Sequence, residues 1–201
     1  VTAQQVSRTY DGSTTASGSG SVGLLLGAGA GETVNTAGTQ AFLDKNVGTG
    51  NKVVRASGVT IKDSGNADVT GNYNISYVDN TTSTINPASL TVSTNSVNRV
   101  YDGTTNAPGA APVVTLGNLF LTDSLNGGTF AFVSKNVGNN VTVNVGGVTV
   151  NDGNGGANYQ VSYAANNTSS ITAAPLTVTA QSVSRTYDGT TVASGSGNVG
   201  T

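Results

Sequence analysis

The sequence predicts an all-β protein, a tandem array of ~90-residue immunoglobulin-like β-sandwich repeats, with a parallel β-solenoid as the alternative. Three observations predict it. A whole set of motifs recurs in fixed order, apolar and polar residues alternate at period two, and 28 glycines leave no stretch suited to a helix.

The recurrence comes first. Tyr-Asp-Gly occurs as Tyr10-Asp11-Gly12, Tyr101-Asp102-Gly103 and Tyr187-Asp188-Gly189, each two residues after an arginine, Arg8, Arg99 and Arg185. Lys-Asn-Val-Gly occurs at Lys45-Asn46-Val47-Gly48 and at Lys135-Asn136-Val137-Gly138. Asn-Tyr-x-x-Ser-Tyr opens at Asn72-Tyr73 and Asn158-Tyr159, and Leu-Thr-Val at Leu90 and Leu176. Because the order is constant, whole units were duplicated. The boundaries expected are 1–87 (a first repeat with its first strand truncated), 88–174 (a second) and 175–201 (the opening of a third).

Residues 2–23 and 179–200 differ only at Gln5/Ser182, Ser13/Thr190, Thr15/Val192 and Ser21/Asn198. Such near-identity is expected of a window cut from a longer array, with strand exchange between chains as the second account. The joints Ile85-Asn86-Pro87-Ala88-Ser89-Leu90 and Ile171-Thr172-Ala173-Ala174-Pro175-Leu176 hold a proline and almost no linker. That predicts a stiff rod rather than tethered beads.

The strands follow from alternation. Tyr73, Ile75 and Tyr77 face one way, as do Tyr159, Val161 and Tyr163, and Val141, Val143 and Val145 repeat the pattern. Asp11-Gly12, Asn126-Gly127 and Asp152-Gly153 mark the expected turns. A solenoid would impose a rung period of ~20–30 residues. The sequence shows none.

Composition narrows the function. Charged residues are 9% of the chain and the net charge is −2, so no basic field exists for nucleic acid. The absence of His and Cys excludes imidazole and thiolate metal sites, Cys nucleophiles and His-based triads. No apolar run reaches the ~18 residues of a membrane span, so no membrane insertion is expected in this window. No cofactor is expected either.

Arg-x-Tyr-Asp-Gly, then Lys-Asn-Val-Gly, then Asn-Tyr, closing on Leu-Thr-Val, resembles the YDG-type repeat domain. That family occurs in very large bacterial surface and matrix adhesins, including filamentous-haemagglutinin-like proteins exported by two-partner secretion. The similarity runs over both units and into the third, and is poorest at residues 22–40 and 109–129. The resemblance implies a passive extracellular repeat at the bacterial cell surface and supplies no catalytic residues.

Plain structural roles suit the remaining candidate residues. Lys45 and Asp11 are conceivable members of a Lys–Asn isopeptide crosslink, but a turn-capping Asp and an ion-paired Lys account for them more simply. The motif tyrosines suit a core or interdomain position better than a sugar-stacking platform. The oxygen-rich segments Asp63–Asp68 and Asn151–Asn154 lack the spacing of a calcium loop. For carboxylate-pair catalysis there is one glutamate, Glu32, for which the second unit is expected to offer no acidic counterpart, so the chain is read as no enzyme.

The expected function is that of a structural stalk or fibre repeat of an extracellular adhesin or biofilm-matrix protein, spacing or displaying a distal adhesive domain. The alternatives are repeats that bind polysaccharide or a partner protein, or that assemble into a filament by strand exchange. The partners expected are the neighbouring repeats of the same chain, with other copies of itself or extracellular polysaccharide as further candidates.

Overall fold

The computed structural model describes residues 1–29 and 31–200. The first repeat runs through β1 (Ser7–Thr9), β2 (Thr15–Ala16), β3 (Thr33–Thr36), β4 (Thr39–Phe42), β5 (Gly48–Ser57), β6 (Thr60–Lys62), one 3-10 turn at Thr70–Asn72, and β7 (Asn80–Asn86). The second runs through β8 (Ala88–Thr94), β9 (Asn98–Val100), β10 (Pro112–Leu116), β11 (Ser124–Phe132), β12 (Gly138–Asn151), β13 (Tyr159–Tyr163) and β14 (Asn166–Thr172). Beyond it, β15 (Val178–Thr179) and β16 (Asn198–Val199) form an isolated antiparallel pair. The chain is thus all-β, with curled sheets in two repeats.

The main sheet has the same plan in both repeats. It reads β1-β7-β5-β4-β2 in the first and β9-β14-β12-β11 in the second. The first strand of each lies parallel to the last, Ser7 opposite Thr84 and Asn98 opposite Ser170, while the remaining pairs are antiparallel. Antiparallel hairpins such as β4–β5 and β11–β12 are not the stacked rungs of a solenoid. In the second repeat a further sheet, β10-β8-β13, turns Leu90 and Val92 of β8 into the same core as Val148 and Val150 of β12.

Alternation explains which residues enter. Val54 and Ala56 of β5, Ser83 and Ile85 of β7, and their counterparts Ser169 and Ile171 of β14 are buried at every second position. Each long hairpin then changes phase. In β12 the inward set passes from Val143 to Val148 and Val150, and in β5–β6 from Val54 and Ala56 to Val59 and Ile61. The change falls at glycines. Gly38 has φ of +72°, and a Cβ there would stand 2.0 Å from the Ser57 carbonyl oxygen, so no side chain fits.

Two local expectations fail. Asn126-Gly127, predicted as a turn, lies inside β11 opposite Thr149 and Val148; its glycine serves the bend just described. Tyr73, Ile75 and Tyr77 alternate as predicted but form no strand. Their counterparts in β13 pair in parallel with Ala88–Val92 of β8, whereas the first repeat offers only the bridge from Thr2 to Val78. A strand needs a partner as well as a pattern.

Candidate functional site: the joint between the repeats

Only Pro87 separates β7 from β8, yet the contact between repeats is built from residues far apart in sequence. The Tyr-Asp-Gly loop sets its first half. Arg8 reaches across its own turn to the Ser13 carbonyl oxygen and pairs with Asp11, and its guanidinium lies over the Phe42 ring at 5.1 Å. Asp11 Oδ1 accepts from Ser13 N and Ser13 Oγ, both at 2.8 Å. Arg99, Asp102, Thr104 and Phe132 repeat the arrangement, with the guanidinium 5.2 Å above the ring. Arg185, Asp188 and Thr190 repeat its hydrogen bonds in the third copy. In both full repeats the arginine Nε is buried without a partner among the described residues. The rest of the guanidinium is held well enough to carry that cost.

This loop aims Tyr10 into the second repeat. Its backbone N–H donates to Asn86 O at 2.8 Å, and the side chain is 1% exposed. The Tyr10 hydroxyl donates to Asp123 Oδ2 at 3.0 Å, and the Tyr159 hydroxyl donates to the same oxygen at 2.7 Å. Tyr159 in turn accepts from Phe120 N at 2.9 Å. The Tyr10 ring meets those of Tyr159 and Phe120 edge-on, with centroids 5.4 and 5.9 Å apart. Lys45 Nζ sits 5.9 Å from the Tyr10 ring centre. Burial raises the pKa of Tyr10, with Lys45 opposing and Asp123 adding to the rise. Burial and then Asp123 hold the Tyr159 phenol protonated well above its ordinary value.

A second cluster joins the Lys-Asn-Val-Gly and Asn-Tyr motifs. Asn158 is fully buried. Its Oδ1 accepts from Val47 N at 2.9 Å and from Asn154 Nδ2 at 3.0 Å, while its Nδ2 donates to Asn46 Oδ1 at 3.2 Å. Its own N–H donates to Asp152 Oδ2, and Asp152 Oδ1 collects the N–H groups of Asn154 and Gly156. Burial works against the Asp152 carboxylate, but these backbone donors outweigh it and lower its pKa. Gly12 closes the contact: with φ of +78°, it lets the loop lie where a Cβ would be 3.0 Å from Phe120 and Leu121 side-chain atoms.

The structure therefore brings Tyr10, Gly12, Lys45, Asn46, Asn158 and Tyr159 together at one place. Gly48 and Gly138 open β5 and β12, opposite Ile85 and Ile171. Asp11 is engaged by Arg8 and Ser13, and Lys45 lies on the Tyr10 ring. Asp63, like Asp152, turns its carboxylate to backbone N–H groups of its own loop, those of Gly65 and Ala67.

Sequence reasoning missed the acid at the centre. The expectation that Glu32 lacks an acidic counterpart is wrong, because the spacing that carries Tyr10 to Tyr101 carries Glu32 to Asp123. The structure shows the equivalence directly. Tyr73 donates to Glu32 Oε2 at 2.6 Å as Tyr159 does to Asp123, and the N–H groups of Glu32 and Asp123 bond Gly29 O and Phe120 O alike. The signal was one shared acid inside segments that otherwise diverge.

No curated protein and no solved structure matches the chain. The YDG domain matches it twice, over residues 1–83 and 86–168. Together the two matches cover most of the chain, so the chain belongs to the YDG domain family.

Proposed function

We propose that this chain is a structural stalk or fibre repeat of an extracellular bacterial adhesin or biofilm-matrix protein, without catalytic activity. One observation supports the reading: the most recognisable residues of the first repeat, Tyr10 and Asn46, are spent on holding the second. Tyr10, Asp123 and Tyr159 share a buried hydrogen-bond centre, and Asn46 and Asn158 clasp each other beside it. Residues committed to such a joint serve orientation between units, which is what a spacer must supply. The scarcity of charge fits a material whose strands must lie close without long-range repulsion.

Small-angle scattering of the chain tests the mechanical part. A single elongated arrangement of the two repeats is expected, unchanged by salt because the joint is buried. A profile that fits only freely jointed repeats would overturn it. Antibody labelling of intact source cells tests the location, and labelling only after lysis would remove the surface role.

A further inference from the structure

The buried centre of the joint is also where this chain is best arranged to be oxidised. The sequence holds no Cys, Met, Trp or His. With the sulfur side chains absent, a one-electron oxidant finds tyrosine as its readiest target. Seven tyrosines share that role. What separates them is where the phenol proton can go, since a tyrosine yields its electron far more readily when the proton leaves with it.

Tyr10 and Tyr159 meet that condition as a pair. Both hydroxyls donate to Asp123 Oδ2, at 3.0 and 2.7 Å. Burial keeps both phenols protonated, and Lys45 near the Tyr10 ring opposes a positive charge on it. An electron is therefore released together with the proton. The rings are placed to join as well, with centroids 5.4 Å apart at an interplanar angle of 74°. Because both hydroxyls converge on one oxygen, the ring carbons next to them converge too. Tyr73 has a carboxylate in Glu32, but among the described residues no other two tyrosine rings meet.

We propose that Tyr10 and Tyr159 form a dityrosine crosslink between the repeats when the chain meets a one-electron oxidant, such as a peroxidase intermediate or a photoexcited metal complex. Each tyrosine loses one electron to the oxidant and its phenol proton to Asp123. Asp123 keeps 9% of its surface open, through which it passes the first proton to water before taking the second. The two phenoxyl radicals pair their electrons in a new bond between the Cε carbons beside the hydroxyls. The hydrogen on each joined carbon then moves to the ring oxygen, restoring two phenols. Two electrons and two protons leave in all. The product carries its hydroxyls on either side of the new bond, so both still reach Asp123. The step needs only the geometry of the joint and stands apart from the surface role. It would fix the orientation of the two repeats as a disulfide would in a chain with cysteines.

Oxidation of the folded chain tests it. The chain, kept dilute, is illuminated with ruthenium tris-bipyridyl and persulfate, then digested and mapped by mass spectrometry. A monomer lighter by two hydrogens is expected, with dityrosine fluorescence and one peptide pair joined through Tyr10 and Tyr159. The yield of that link should fall about tenfold when the chain is unfolded in urea, where the pairing is no longer preorganised. It should fall about fivefold in Asp123→Asn, whose fold circular dichroism checks. Tyr187, 92% exposed, supplies the comparison: links through it join separate chains and fade on dilution. Dityrosine confined to other pairs, or a Tyr10–Tyr159 yield as high in urea as in the folded chain, overturns the inference. So does a yield unchanged in folded Asp123→Asn.

Discussion

At the scale of single residues, the joint depends on one carboxylate oxygen accepting two phenols. Hydrogen bonds to a charged group contribute about 1.5–3 kcal/mol each, more than neutral ones. Asp123→Asn keeps an acceptor but removes the charge, and is expected to cost about 2 kcal/mol by denaturant titration. Tyr10→Phe should cost less on its own. In the double variant the two losses should fall short of additivity, because both remove the same bond. Additive losses would show that Tyr10 and Asp123 are not coupled. The turns add a pH dependence. Arg99, then the Thr104 backbone and hydroxyl, lower the Asp102 carboxyl from 3.8 to about 2. A lowered pKa stabilises the folded state fully above the unfolded value, and that share is lost as pH falls through about 2. The melting temperature should therefore drop across that acid window, and drop less in Asp102→Asn.

At the scale of elements, β7 and β14 each bury a serine in place of an apolar residue. Ser83 Oγ accepts from Val6 N at 3.0 Å and donates to Asn80 Oδ1 at 2.8 Å; Ser169 does the same with Val97 at 2.9 Å and Asn166 at 2.8 Å. The serine thus ties the chain entering β1 or β9 to the strand it runs beside in parallel. Ser83→Ala and Ser169→Ala each strand a buried N–H, and each is expected to cost about 1–3 kcal/mol in the denaturant midpoint. A change within error would mean that water replaces the hydroxyl. Much of this level was legible in the sequence. Period two found the inward faces of β12 and β13, and the motif order found the repeat. Period two gives the face of a strand but not its neighbour, so the parallel pairs β1–β7 and β8–β13 stayed hidden. The same limit made residues 73–77 look like a strand. The phase changes at Gly38 and Gly128 were missed because glycine in an alternating run signals a turn and a bend equally. Tyr10 was legible as an interdomain residue, but its acid partner was not, because Asp123 lies where the two copies diverge most.

At the scale of the whole molecule, the core does not stop at the repeat boundary. One buried cluster includes Val6, Phe42, Val54 and Ile85 of the first repeat together with Leu90, Val92, Val148 and Tyr159 of the second, with Tyr10 and Ala88 between them. The far half of the second repeat keeps a smaller cluster of its own, Val97, Phe132, Val143 and Ile171. In an array of repeats, the coupling across each contact decides whether units melt together or separately. A shared apolar core plus a buried hydrogen-bond centre makes that coupling strong here. Calorimetry should show both repeats unfolding in one transition, with the calorimetric and van't Hoff enthalpies in agreement. Gly12→Val attacks the coupling. Its side chain would enter the space filled by Phe120 and Leu121, on a backbone whose φ of +78° already disfavours a branched residue. Part of the cost is local strain, so the melting temperature of the first repeat should fall. The deciding feature is the shape of the curve: the single transition should split in two, the later one belonging to the second repeat. A curve that shifts downward without splitting would mean that the repeats are held together by something other than this joint.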